Sequence, residues 1–130
     1  MSSSSDTELV RQVYARFSEG NMAELAQLLH PDVELHVPGT HALAGVFKGL
    51  DEVLAVLRAT AAEADTLTVE LQEVFTGADG QVIGVDHSRG IRQDRTLDQR
   101  VAIVFTVADG QVSQLTEFHS DHAEIARFWA

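Results

Sequence analysis

Cysteine is absent from the sequence. That excludes disulfides, thiolate nucleophiles and thiolate metal sites, and leaves packing, with or without a partner subunit, to hold the fold. Basic residues are scarce: 9 Lys and Arg stand against 20 Asp and Glu, a formal charge of -11. A phosphate backbone is held chiefly by Lys and Arg that displace its counterions, so nucleic acid is not an expected partner, and the acidic excess reads as a solvated surface. No apolar run approaches the ~20 residues that a membrane span needs, and the first residues lack the basic-then-apolar order of a secretion signal. A cytoplasmic protein with no membrane partner is therefore expected. A chain of 130 residues fits one domain, so a single unit over 1–130 is expected, with the polar start frayed over about residues 1–6.

What is present is well patterned. Over residues 7–18, Leu9, Val10, Val13, Tyr14 and Phe17 recur at helical spacing with polar residues elsewhere on the wheel, and Gly20 ends that helix. Asn21 offers an N-cap with Glu24 three residues on, Leu25, Leu28 and Leu29 form the buried face of a second helix, and Pro31 stops it. From Val33 the period becomes two: Val33, Leu35 and Val37 share one face, Glu34 and His36 the other. Pro38 and the glycines of "PGTHALAG" predict an exposed loop reaching to a third helix over 50–63.

The remainder predicts strands over 66–76, 82–92, 97–107 and 112–119, reversed at "GADG", "RQDR" and "ADGQ". Asp121, with Glu124 three residues later, predicts a capped terminal turn of helix carrying Ile125, Phe128 and Trp129. Helices followed by an antiparallel meander predict an α+β fold with the helices on one face of the sheet. Val104 lies opposite the main apolar set of its strand, and Leu115 opposite Val112 and Phe118, so the outer sheet face is expected to be buried in a homodimer.

Three stretches, "LVRQVYARFSEGNMAELAQLLHPDVELHVPG", "GVFKGLDEVLAVL" and "VFTVADGQVSQLTEFHSDHAEI", resemble the nuclear transport factor 2-like superfamily, in its SnoaL-like, ketosteroid-isomerase-related branch. The resemblance implies a cone-shaped, curved, mostly antiparallel sheet wrapped around N-terminal helices, the cystatin-like arrangement, with a pocket between them and a dimeric state. It also implies a pocket lined by Val37, His41, Gln114, Phe118 and Trp129. In the isomerases of this family a strand aspartate is the base, and a tyrosine and a protonated aspartate form the oxyanion hole. The residues matching those positions are Val13, beside Tyr14; Val37; and Val101 or Ala102. All are apolar, which disfavours steroid-type isomerisation by that set. The epoxide-hydrolase members use an Asp/Arg/Asp arrangement, and Asp98 with Arg100 reads here as a surface pair.

The candidate catalytic residues are His87 and Tyr14. Tyr14 sits on the buried stripe of the first helix, where its hydroxyl needs a partner. Strand parity admits one of the adjacent Asp86 and His87 to the cavity; His87 is favoured because it shares parity with Ile83, Val85 and Ile91. Asp121 reads as a helix cap. No H-E-x-x-H string occurs, and no metal or cofactor is expected. Two functions remain open. One is a small-molecule-binding domain with an apolar cavity, working as a cofactor-independent enzyme of cyclase or isomerase type on a small apolar metabolite. The other is a non-catalytic ligand-binding or dimeric interaction domain.

Overall fold

The computed structural model describes residues 3–130. Helix α1 (Ser3–Glu19) turns the stripe of Val10, Val13 and Tyr14 into the core. Of the start expected to fray, residues 1 and 2 lie outside the described residues, and residues 3–6 form the first turn of α1, with Asp6 near its positive end. Gly20, at φ 72°, closes the helix: its N–H donates to Phe17 O and that of Asn21 to Arg16 O, a Schellman ending. Helix α2 (Met22–Leu28) follows at once, capped by the Asn21 side chain, which accepts from Glu24 N at 3.2 Å.

Strand β1 (Leu29–Val37) begins earlier than the alternation predicts and includes Pro31. The proline is tolerated because the pairing of β1 shifts between Leu29 and Glu34, so no ladder donor is required there. The segment expected to remain a loop contains a short edge strand, β2 (Gly45–Lys48), antiparallel to β1 with Leu35 opposite Phe47. Four residues hold too little alternation to show as a strand in sequence. Helix α3 (Leu50–Glu63) buries Val53 and Leu54.

The meander then runs as predicted through β3 (Thr66–Thr76), β4 (Gln81–Arg92), β5 (Arg95–Ala108) and β6 (Gln111–His119), and ends in α4 (His122–Phe128). Asp109 and Gly110, at φ 55° and 76°, make a two-residue reversal that matches the twist of the flanking strands. The sheet order is β2-β1-β6-β5-β4-β3, antiparallel except where β1 runs parallel to β6. The result is a mixed α+β fold with a curved, unclosed sheet. The helices lie on its concave side, and the core joins α1, α2 and α3 to β1, β4, β5 and β6 through residues such as Leu25, Leu35, Val53 and Phe105. Leu97, Ile125, Phe128 and Trp129 form a second cluster under α4.

One facial assignment is corrected. Leu115 is buried on the same side as Val112, because the β5/β6 register shifts between Thr106 and Val107 and moves the rest of β6 by one residue. Phe118 is then on the convex face, where it is 55% exposed near Ala102. Among the described residues no helix is long and apolar enough to cross a membrane.

Candidate functional site

The concave side of the sheet and the helices enclose a pocket of about 130 Å³. Val13, Tyr14 and Phe17 of α1, Val56 and Leu57 of α3, Leu35 and Val37 of β1, and Ile125 and Trp129 at the C-terminal end give it apolar walls. A few polar side chains enter it: Tyr14, His41, Thr60, Asp86, Ser88, Glu117 and His119. The Thr60 hydroxyl is already used, donating to Val56 O one helical turn back at 2.8 Å.

Strand parity selects the rest. On β4 the inward residues are Val82, Gly84, Asp86 and Ser88; on β6 they are Leu115, Glu117 and His119. Asp86, Val101 and His119 lie in one row across β4, β5 and β6, so the backbones carrying the carboxylate and the imidazole are separated by one strand, roughly 10 Å. Asp86 is buried. Ser88 Oγ donates to its Oδ1 at 2.7 Å, and Tyr14 Oη reaches its Oδ2 at 3.4 Å. Burial raises the Asp86 carboxyl to about 6, with Glu117 adding to the rise, while the two hydroxyls and His119 favour the ionised form. Burial, followed by the charge of Asp86, pushes the Tyr14 hydroxyl far upward, so Tyr14 stays a donor. His119 Nε2 meets Glu117 Oε1 at 2.9 Å. His41, in the loop after β1, is shifted below the ordinary histidine range by burial and by His119, with Glu117 opposing.

The arrangement brings Tyr14, Val37, His41 and Trp129 to the pocket. It does not bring His87, Gln114 or Phe118. His87 is corrected to the convex face, where its Nε2 meets Asp98 Oδ1 at 2.5 Å. The reason is that Ile83, Val85 and Ile91, which share its parity, form an apolar outer surface rather than the core. Gln114 and Phe118 point outward because the shifted β6 turns Leu115, Glu117 and His119 inward. Asp98 and Arg100 are exposed. Asp121 caps α4, accepting from Glu124 N at 3.0 Å.

Ser88 and Glu117 were not singled out by sequence reasoning. The signal for Ser88 was Gly84, which shares its parity and marks the face where a helix approaches closely. Val13 and Val37, matched to two of the isomerase catalytic positions, line the pocket, and of the two residues matched to the third, Val101 lines it while Ala102 faces the convex side beside Phe118.

Comparison with known proteins fits this geometry. The SnoaL-like domain family matches over residues 10–115. An uncharacterized protein of Mycobacterium tuberculosis strain H37Rv is 51% identical over 131 residues, covering 100% of both chains. The structure of Bal32a, from a soil-derived mobile gene cassette, is 30% identical with a TM-score of 0.94 and 98% of each chain covered. A nuclear transport factor 2-like protein of Burkholderia xenovorans LB400 is 23% identical, with a TM-score of 0.87 over 100% of this chain and 99% of that one.

Proposed function

The chain belongs to the SnoaL-like domain family, and from that premise we propose that it binds a small, largely apolar molecule and carries out cofactor-free proton transfer on it, of cyclase or isomerase type, with Asp86 as the acid–base group. The observation that carries this reading is the setting of Asp86: a buried carboxylate in an apolar-walled pocket, held by two hydroxyls and raised to about 6. A group of that acidity near neutral pH is available as a base and returns a proton readily. Asp86 takes a proton from a carbon acidified by an adjacent carbonyl. It returns that proton to a second carbon in an isomerisation, or to the alkoxide formed when the carbanion closes a ring. Ser88 and Tyr14 hold both carboxylate oxygens in place during the transfer.

Incubation with cyclohexanone in D2O tests the reading. The protein should accelerate deuterium incorporation next to the carbonyl, and Asp86→Asn should lower that rate by roughly 100-fold. No acceleration, or acceleration unchanged in the variant, would sink it. The second reading, ligand binding without catalysis, is favoured by the apolar residues at the three isomerase positions; saturable binding without exchange is its signature.

We also propose that a second copy of the chain covers the convex sheet face, where Phe75 and Phe118 are 48% and 55% exposed with Ile83, Val85, Ala102 and Val104 between them. A contiguous apolar face of this kind is buried most simply by an isologous contact.

A further inference from the structure

Among the described residues, two buried ring nitrogens on side chains that line the pocket have no hydrogen-bonding partner: His41 Nε2 and His119 Nδ1. Their protonation follows from what the other nitrogen of each ring does. Leu43 N donates to His41 Nδ1 at 3.2 Å, so Nδ1 carries no hydrogen and the neutral ring holds its hydrogen on Nε2. Glu117 Oε1 accepts from His119 Nε2 at 2.9 Å, so that nitrogen holds the hydrogen and Nδ1 presents a bare lone pair. The pocket therefore contains one unmatched donor, at His41, and one unmatched acceptor, at His119, and each would cost free energy if left unpaired. The His119 side chain is only 4% exposed, so bulk solvent does not serve it.

A ligand group that accepts from one imidazole and donates to the other satisfies both, and a hydroxyl does this with one oxygen. Charge narrows the choice further. Asp86 and Glu117 line the same pocket in a chain of net charge -11, which disfavours a carboxylate or phosphate in that place. Size narrows it too: the pocket measures about 130 Å³, close to the roughly 150 Å³ of an engineered apolar cavity that holds benzene. Resting on the reading of this pocket as a ligand site, we propose that its ligand is a small, uncharged ring compound bearing a hydroxyl group, which accepts from His41 Nε2–H and donates to His119 Nδ1. Asp86 then faces the ring from the other end of the row that Val101 separates, so the hydroxyl fixes which carbon is presented to the carboxylate.

Calorimetric titration with phenol, toluene and benzoate tests the proposal, because phenol and toluene have nearly the same shape and only phenol has the hydroxyl. The expected result is phenol binding about tenfold tighter than toluene, with benzoate weakest. His41→Phe and His119→Phe should each remove most of that preference, read as the ratio of phenol to toluene affinity within each variant. Nitrogen-15 chemical shifts of the imidazoles in the ligand-free wild type give a check that needs no variant to fold: hydrogen on Nε2 and none on Nδ1 in both rings. Equal binding of phenol and toluene, a phenol preference that survives both substitutions, or a hydrogen on His119 Nδ1 overturns the hydroxyl subsite while leaving the pocket as a ligand site. If neither phenol nor toluene binds, both readings fall together.

Discussion

Tyr14 fits against Gly84 so closely that a β-carbon at position 84 would lie 2.7 Å from the phenolic oxygen and 2.8 Å from a ring carbon. The glycine in the middle of β4 thus exists for the helix above it: without a side chain there, α1 can bring its tyrosine down to Asp86. Gly84→Ala should therefore cost about 1–3 kcal/mol through forced displacement of the ring. In a Tyr14→Ala background the same change should cost under about 0.5 kcal/mol, because the obstructing atoms are gone. Chemical denaturation of the four proteins of the cycle measures the coupling. An additive cycle would show that the contact does not matter.

Asp86 gives a pH prediction of definite sign. Its carboxyl is near 3.8 when unfolded and about 6 when folded, so above pH 6 the folded state must hold a charge that it disfavours relative to the unfolded chain. The group's contribution is lost as pH rises from about 4 through 6 and becomes an approximately constant penalty above that. The shift corresponds to roughly 2–3 kcal/mol at most. Asp86→Asn should accordingly be more stable than the wild type at pH 8 by about 1–3 kcal/mol, with the gain shrinking as pH falls through about 6 and gone only below the unfolded value of 3.8, where the carboxyl is neutral in both states. Urea unfolding at the two ends of that range checks this. A wild type that gains on the variant as pH rises would show that the hydroxyl partners outweigh burial.

His87 shows what strand periodicity conveys and what it leaves out. The alternation of β4 is visible in the sequence, and so is the consequence that one of Asp86 and His87 faces inward. Which of them does so depends on which face is the core, and here both faces carry apolar residues: Val82 on one, Ile83, Val85 and Ile91 on the other. Caps and turns were legible because each is set by local chemistry, such as Asn21 beside Glu24 or Asp109 before Gly110, whereas the early start of β1 and the short β2 were not. The inward set on β6 was not either, because the pairing skips Ser113 between Val112 and Gln114, and such a bulge leaves no mark in the alternation of the strand. With His87 outside, His87→Ala should change stability by under about 1 kcal/mol, the ordinary worth of a surface pair, and leave deuterium exchange on cyclohexanone unchanged. Loss of exchange in that variant would return His87 to the pocket.

The terminal helix connects a local cap to the pocket wall. Asp121 accepts from Glu124 N, and Gln99 of β5 donates through Nε2 to both Asp121 O and Glu124 Oε1, at 2.9 and 2.7 Å, so α4 is tied to the sheet at its start. Asp121→Ala should cost about 1 kcal/mol of global stability. Its larger effect should be local. Ile125 and Trp129 reach the pocket only while α4 is formed, so the variant should show faster amide exchange over residues 122–129 than over β5, and a red-shifted emission from Trp129, the sole tryptophan. Uniform protection across the chain would mean that packing of Phe128, rather than the cap, holds the helix.

The convex face supplies a prediction about assembly. Phe118 and Phe75 are large apolar side chains standing in water, and the outward residues between them, Ala102, Val104, Ile83 and Val85, are themselves apolar. A second copy related by a two-fold axis would bring this surface against itself, and a charge there would then meet its own copy across the contact. Phe118→Glu should convert a dimer into a monomer at micromolar concentration, as seen by light scattering, while raising solubility and leaving phenol binding intact, since position 118 points away from the pocket. A wild type that scatters as a monomer at the same concentration would remove the second copy from that face, and would leave the apolar outer strands of β4, β5 and β6 requiring a different partner.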